Sequence, residues 1–241
     1  MLKPLSCLLA ALVLVGCTTR APESATSPPA DTEPFLPTPA QFDRLFPERL
    51  PFYTHEGFAA AARAMPGFAS TGSQAVRRRE MAAFLAQIAH ESDQLRALRE
   101  YARERWGQYC DAARAGGCAP QRQYHGRGPI QLSWNYQYRA AGQAIGIDLW
   151  REPDLVATDP KIAWQAAVWY WMTQHGPGTM TAHQAMIGGS GFGETTRSIN
   201  GALECDRPGD ADAARKLARR ITFYRQAAAL FDVDPGERLT C

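Results

Sequence analysis

The sequence lacks an excess of charge of either sign. Its 241 residues include 26 Lys and Arg against 24 Asp and Glu, which gives a formal net charge of +2. A protein that binds nucleic acid electrostatically would carry a basic stripe and a high isoelectric point. We therefore expect no nucleic-acid partner, whereas this charge balance is compatible with an uncharged polymer such as a polysaccharide.

The sequence also lacks the cysteine pattern of a zinc site, because it has no CxxC pair and its five histidines are scattered. We therefore expect no metal centre. Four cysteines lie beyond the N-terminal region: Cys110, Cys118, Cys205 and Cys241. An even number in an oxidising compartment indicates two disulfides, with three possible pairings. The short first spacing favours Cys110–Cys118, which leaves Cys205–Cys241.

No apolar run is long enough to span a membrane, which takes about 20 residues. The run from Leu5 to Val15 follows Lys3 and is typical of a secretory signal peptide, here residues 1–16. It ends in Leu-Val-Gly-Cys, which resembles the bacterial lipobox, and an ordinary signal peptide with a chance cysteine is the alternative. We expect an exported lipoprotein, held in the membrane by a lipid on Cys17, at the cell envelope and in the outer membrane.

Residues 17–40 are rich in Pro, Ser, Thr and Ala and contain one aromatic residue. Such a segment buries too little apolar area to offset its ordering entropy, so we expect an extended tether. Residues 41–241 show no internal repeat and form one predicted domain.

That domain is predicted to be mainly α-helical. Met81, Phe84, Leu85 and Ile88 form one apolar stripe of a helix over residues 74–91. Asp159-Pro160 predicts the start of an apolar, buried helix over 162–172. Two further helices are expected over residues 58–65 and 211–231, and residues 129–132 are the best candidate for a strand.

Two carboxylates, Glu91 and Glu100, are candidates for acid–base catalysis. Glu91 extends the apolar stripe, where a carboxylate is costly unless it is paired or protonated, and a raised pKa would suit a general acid. A solvated Glu91 at the helix end is the alternative. Glu100 lies nine residues further on. On one continuous helix the two would point in opposite directions, so spacing alone favours a solvated charged face over a catalytic pair.

Residues 124–138 read YHGRGPIQLSWNYQY, which closely resembles the signature of the glycoside hydrolase family 19 chitinases. AHES at 89–92, INGALEC at 199–205 and RRITFYRQ at 219–226 also match the family in the same order, and the resemblance covers nearly all of residues 80–241. It implies a two-lobed, lysozyme-like α domain with a substrate cleft and minimal β structure.

The resemblance implies hydrolysis of β-1,4-linked N-acetylglucosamine polymers with inversion, Glu91 as general acid, Glu100 as general base and Ser133 as a ligand of the attacking water. Inversion needs a proton donor on one side of the bond and a base for water on the other. No cofactor is implied. The family's turn between the two acids carries a Gly-Gly pair, which is Asp93-Gln94 here, so this chain must make the turn without glycine.

Eight further positions match substrate-binding or site residues of the family: Gln131, Trp134, Asn135, Tyr136, Gln137, Asn200, Glu204 and Arg220. Arg220 matches an arginine that pairs with a catalytic carboxylate, and Glu204 a nearby acid. For Gln131, Asn135 and Arg220, bracing of the cleft is the alternative role.

The leading hypothesis is an endo-acting, monomeric chitinase. The first alternative is a peptidoglycan hydrolase, whose polymer also contains β-1,4-linked N-acetylglucosamine. The second is a non-catalytic glycan-binding lipoprotein, against which the presence of both Glu91 and Glu100 argues.

Overall fold

The computed structural model describes residues 33–241. The predicted signal peptide, the lipidation site and most of the predicted tether lie outside this range. Eight α-helices occur within it: α1 (Pro39–Leu45), α2 (His55–Arg63), α3 (Gln74–Glu91), α4 (Asn135–Ile145), α5 (Pro160–Thr173), α6 (Ala182–Ile187), α7 (Phe192–Glu204) and α8 (Ala211–Leu230). Two 3₁₀ helices span Arg103–Gln108 and Pro153–Ala157.

The central element is α3, because every residue from Glu80 to Ala89 is buried. Helix α8 packs along it, with α6 and α7 alongside, while α2 packs on α5. The tryptophans of α5 belong to the core, since Trp164 and Trp171 are fully buried. The end of α3 is thereby held rigidly, and it carries Glu91.

The predicted helix starts are confirmed where a capping residue marks them. The Asp159 carboxylate accepts hydrogen bonds from the backbone N–H groups of Lys161 and Ile162, and Pro160 opens α5. Asp210 caps α8 in the same way. Asp159-Pro160 explains why the start of α5 was predictable from sequence, and the expected start of the last helix at residue 211 is also confirmed.

The strand expected over residues 129–132 is wrong. The segment is a tight reversal in which Gly128 and Gln131 have φ values of 73° and 52°, and a strand does not tolerate that conformation. Leu132 makes only an isolated bridge with Arg127. Among the described residues, the only bridges are of this isolated kind.

The folded domain begins earlier than residue 41. The backbone N–H of Phe35 donates to the carbonyl of Ala69, and the Phe35 ring packs edge-on against Phe231 at 5.3 Å. The predicted tether therefore ends before Phe35. Both favoured disulfides are confirmed: Cys110–Cys118 closes a short loop, and Cys205–Cys241 ties the chain end to the end of α7.

Candidate active site

A groove crosses the surface where the end of α3, the segment 97–109, the turn 126–134 and α7 meet. One part, with a volume of about 590 Å³, contains both Glu91 and Glu100. A second part of about 540 Å³ continues past Tyr136 and Gln137. Five residues line both parts: Gln131, Ser133, Trp134, Asn200 and Leu203. The two predicted acids therefore share one cleft.

The chain reverses sharply between the two acids. Helix α3 ends at Glu91, and the Ser92 hydroxyl donates to the Ile88 carbonyl and accepts from the N–H of Leu95. Asp93, Gln94 and Leu95 then adopt left-handed φ values of 50°, 58° and 63°. Each such non-glycine residue costs about 1 kcal/mol, which the burial of Leu95 helps to offset. The solvated charged face favoured from spacing is wrong, because this turn directs Glu100 back into the cleft.

Glu91 is held by a buried cation. Its Oε1 accepts a hydrogen bond from Nη2 of Arg220 at 2.6 Å, and 16% of its side chain is exposed. Arg220 itself is fully buried, and its pKa is raised by Glu91 and Glu204 despite burial, so it stays charged. Glu91 is therefore the paired, partly buried carboxylate anticipated from its place on the stripe.

Arg220 joins Glu91 to a network behind the cleft. Glu204 accepts from Nε and Nη2 of Arg220, both at 2.7 Å, and Gln87 accepts from Nη1 at 2.5 Å. Burial works to raise the pKa of Glu204, but hydrogen bonds from Arg220 and Asn200 and the charge of Arg220 hold it below its usual range. Asn200 reaches this network through a 2.7 Å bond to Glu204 and also lines the cleft.

This burial corrects two expected roles. Glu204 and Arg220 were predicted as substrate-binding residues, yet they are 3% and 0% exposed. A side chain without accessible surface offers a sugar no contact. Arg220 instead holds Glu91, which is the pairing with a carboxylate that the resemblance implied, and Glu204 in turn holds Arg220.

Glu100 sits in a different environment. Its backbone N–H donates to the Gly126 carbonyl, and its own carbonyl accepts from the indole N–H of Trp106 at 3.1 Å. The Tyr109 hydroxyl donates to Glu100 Oε1 at 2.9 Å, while Oε2 is buried and has no hydrogen-bond partner among the described residues. Burial and Glu100 raise the pKa of Tyr109 to about 12, so this donor keeps its proton.

The segment 131–137 lines the cleft through all of its residues except Asn135. Gln131 and Trp134 have positive φ values of 52° and 73°, which turn the chain at both positions. Ser133 donates to the Gln131 carbonyl at 2.9 Å, and the Trp134 ring, 38% exposed, stacks on Tyr136 at 6.1 Å. Gln137 lines the second part of the cleft, where its buried Oε1 lacks a partner among residues 33–241.

Asn135 does not reach this surface, and its predicted contact with sugar is wrong. It is fully buried, and its amide nitrogen donates to three carbonyls of the loop closed by Cys110–Cys118, those of Asp111, Arg114 and Gly117. Its Oδ1 accepts from the N–H of Asp111. All its hydrogen-bonding capacity is used in bracing the loop, the alternative role considered for this residue.

Among the cleft residues that the sequence analysis missed are Tyr101, Tyr109 and Leu203. For Tyr101 a signal existed, namely an aromatic residue directly after a candidate acid in a polar stretch. For Tyr109 and Leu203 no local signal existed, because their roles arise from chain reversals. Across residues 33–241, no three His, Cys, Asp or Glu side chains are grouped as a metal site, and no helix has the length and apolarity to cross a membrane.

Comparisons with known proteins give a consistent picture. Residues 43–241 match the glycoside hydrolase family 19 model, described as chitinase class I. Endochitinase A2 of Pisum sativum is 40% identical over 214 residues, covering 79% of this chain, and the match spans 64% of the pea protein's length. Endochitinase B of Nicotiana tabacum is 36% identical, with 94% of this chain and 78% of the tobacco protein covered.

Solved structures are similar over most of the chain. A bacterial family 19 chitinase is 50% identical with a TM-score of 0.79, and the match covers 85% of this chain and 98% of that one. Chitinase C from Streptomyces griseus HUT6037 is 45% identical with a TM-score of 0.81, covering 87% and 99%. The mainly helical, lysozyme-like fold expected from sequence is confirmed.

Proposed function

The chain belongs to the glycoside hydrolase family 19 chitinases, and from that premise we propose that it cleaves β-1,4 bonds within N-acetylglucosamine polymers such as chitin. One observation carries the proposal. Glu91 and Glu100, brought together by the left-handed turn, open into the same cleft but have opposite kinds of partner, a buried cation and a neutral hydroxyl.

We propose Glu91 as the general acid. Its partner Arg220 already has a second carboxylate in Glu204, whose lowered pKa keeps it ionised. One cation thus serves two carboxylates, and its hydrogen bond to Oε1 fixes the Glu91 side chain at the cleft. The general acid must donate its proton to the leaving oxygen, which requires such a fixed position.

We propose Glu100 as the general base. Its Oε1 is fixed by Tyr109, while Oε2 keeps its lone pairs unengaged by the described residues. The Ser133 hydroxyl donates its proton to the Gln131 carbonyl, so its oxygen is left to accept a hydrogen bond from water. A water held between Ser133 and the Glu100 carboxylate would attack the anomeric carbon as the base takes its proton, and inversion follows.

The groove lining fits a chain of sugars. Trp134 and Tyr136 offer aromatic faces for the apolar faces of the rings, while Gln131, Gln137 and Asn200 offer amides for hydroxyl and N-acetyl groups. The groove is open along two connected parts, which favours cleavage within a chain. We propose that the protein acts as a monomer.

Hydrolysis of N-acetylglucosamine hexamer by the purified protein tests this function, with the first-formed anomer read by NMR. We expect α-anomeric products, and β-anomers would refute the inverting assignment. Glu91→Gln and Glu100→Gln should each lose at least about a hundredfold in kcat, and Glu56→Gln, an exposed acid outside the cleft, should be unchanged. Cleavage of peptidoglycan alone would move the protein to cell-wall hydrolysis, and binding without cleavage would leave a glycan-binding protein.

We also propose export and lipid attachment at Cys17, on the support of the apolar run and the Leu-Val-Gly-Cys sequence, with the outer membrane as destination. Mass spectrometry of the mature protein from a membrane fraction tests it. A lipid-modified Cys17 at the new N-terminus is expected, and recovery of Cys17→Ser in the same membrane fraction would contradict the anchor.

A further inference from the structure

The exposed large apolar side chains of the described residues all lie at the cleft. They are Tyr101, Leu203 and Trp134, with exposed fractions of 68%, 56% and 38%. Because these three large apolar side chains gather in one groove, they mark a place where a ligand covers them. Trp134 is already accounted for in the proposed function, whereas Tyr101 is not.

Tyr101 is exposed but not loose. Its hydroxyl donates to Oδ2 of Asp93 at 3.2 Å. The other Asp93 oxygen, Oδ1, accepts from Arg96 and from Arg219 of α8, both at 2.9 Å. The ring is therefore tied at its hydroxyl to a carboxylate that is itself fixed by two cations, while its face stays open to solvent. Such prior ordering lowers the entropy lost when a ligand binds.

Asp93 occupies a position that favours glycine. Its φ is 50°, and it opens three consecutive left-handed residues. Asp enters this region more readily than most residues, but glycine does so at no cost. The Asp93 carboxylate contacts Arg96 in the turn, Tyr101 at the cleft edge and Arg219 of α8. We attribute the presence of an aspartate at this strained position to these side-chain contacts. Tyr101 is the one of these three partners that faces the cleft.

We propose that Tyr101 is a sugar-binding residue beside Glu100, and that Asp93 is a positioning residue which holds the Tyr101 ring for the apolar face of an N-acetylhexosamine unit. The inference rests on the proposed function only in that a glycan occupies the cleft. It adds an aromatic contact from the residue directly after Glu100, whereas the other aromatic contacts come from segment 131–137.

Calorimetric binding of N-acetylglucosamine hexamer to the Glu91→Gln protein tests the inference without turnover. Tyr101→Ala should weaken binding roughly three- to tenfold, the loss expected for one aromatic contact. Tyr101→Phe and Asp93→Gly remove the same hydrogen bond from its two ends, so each should weaken binding roughly twofold and their combination no more than either alone. Asp212→Asn, which alters an ion pair on α8 outside the cleft, is the charge-matched control and should bind like its parent.

Kinetics in the wild-type background supply the second measurement. Tyr101→Ala should raise KM with kcat unchanged, because the contact is made equally in the ground and transition states. Unchanged hexamer affinity on Tyr101→Ala would overturn the sugar-binding role, and additive losses in the double variant would overturn the positioning role of Asp93. Either failure leaves the proposed function intact if the wild-type protein cleaves hexamer. If the parent protein neither binds nor cleaves hexamer, the inference and the function fall together.

Discussion

Replacing Glu204 with Gln should destabilise the protein and, through Arg220, loosen the position of Glu91, although Glu204 is absent from the cleft surface. Glu204 is 3% exposed and accepts two hydrogen bonds of 2.7 Å from the buried guanidinium of Arg220. The substitution preserves shape, so it creates no cavity. It removes one of the two carboxylates that balance Arg220 and turns an amide N–H group toward a donor.

The expected loss is about 3 kcal/mol in the free energy of unfolding at pH 7. Removing one partner of a buried ion pair costs about 3–5 kcal/mol, and the lower end applies because Arg220 keeps Glu91 as a partner. Domains are stable by only about 5–15 kcal/mol. At roughly 2–4 °C per kcal/mol for a domain of this size, the midpoint of thermal unfolding should fall by about 6–12 °C.

The pH dependence of this loss has a defined sign. The folded-state pKa of Glu204 lies below its ordinary value of 4.5 because Arg220 outweighs the effect of burial. The stabilisation by Glu204 is therefore fully present above pH 4.5 and is lost as pH falls through the folded pKa. The difference between parent and Glu204→Gln should shrink over that acidic window.

Urea unfolding from pH 3 to pH 7 measures the loss in the free energy of unfolding and its pH dependence. The kcat on hexamer is recorded at pH 7. Asp212→Asn removes an exposed acid that also pairs on α8, with Lys216 at 2.7 Å, and should leave the unfolding curve unchanged. A Glu204→Gln loss below about 1 kcal/mol, or a loss that stays constant down to pH 3, would refute the account of the buried network.

Three further predictions concern the residues around the cleft. Tyr109→Phe should lower kcat about tenfold, because it removes the hydroxyl donor to Glu100; an unchanged kcat would show that this bond does not orient the base. Asn135→Ala should lower the free energy of unfolding by about 2–3 kcal/mol in urea, with KM little changed; a large KM effect without destabilisation would restore its predicted contact with sugar. Burial and Arg127 lower the pKa of His125 to about 3. Between pH 6.5 and pH 3 the unfolded chain therefore binds a proton at His125 that the folded chain does not bind. The free energy of unfolding should fall as the pH is lowered from 6.5 to 3. The His125 ring stacks on Trp106 with centroids 3.7 Å apart. His125→Phe keeps a ring in that stack and should flatten the slope in urea titrations at pH 4 and pH 7.

The helices that sequence predicted are those with strong local signals. Asp159-Pro160 marks α5, and the stripe from Met81 to Ile88 marks α3. By contrast, α4 begins directly after Trp134, which has a φ of 73° and makes no side-chain cap, and α7 is interrupted by a non-helical residue at Asn200. Neither the start of α4 nor the kink in α7 has a local sequence signature.

The two candidate acids also differ in how far a local sequence signal predicts their position. Glu91 follows from the periodicity of one helix, which a sequence displays directly. The place of Glu100 depends on three residues in a left-handed turn. Asp enters that conformation more readily than most residues, but Gln94 and Leu95 do not signal it by their type. Only the resemblance to a family placed Glu100 in the site, and helical geometry argued the other way.

Position in a family motif and role in the site are separate properties, and burial distinguishes them. Asn135, Glu204 and Arg220 all stand at positions that matched site residues, yet none has surface in the cleft. Arg220 reaches the substrate only through Glu91, and Asn135 only through the loop it braces. Substitution of these residues should therefore register first in protein stability and in kcat, whereas loss of an exposed side chain such as Trp134 should register in KM.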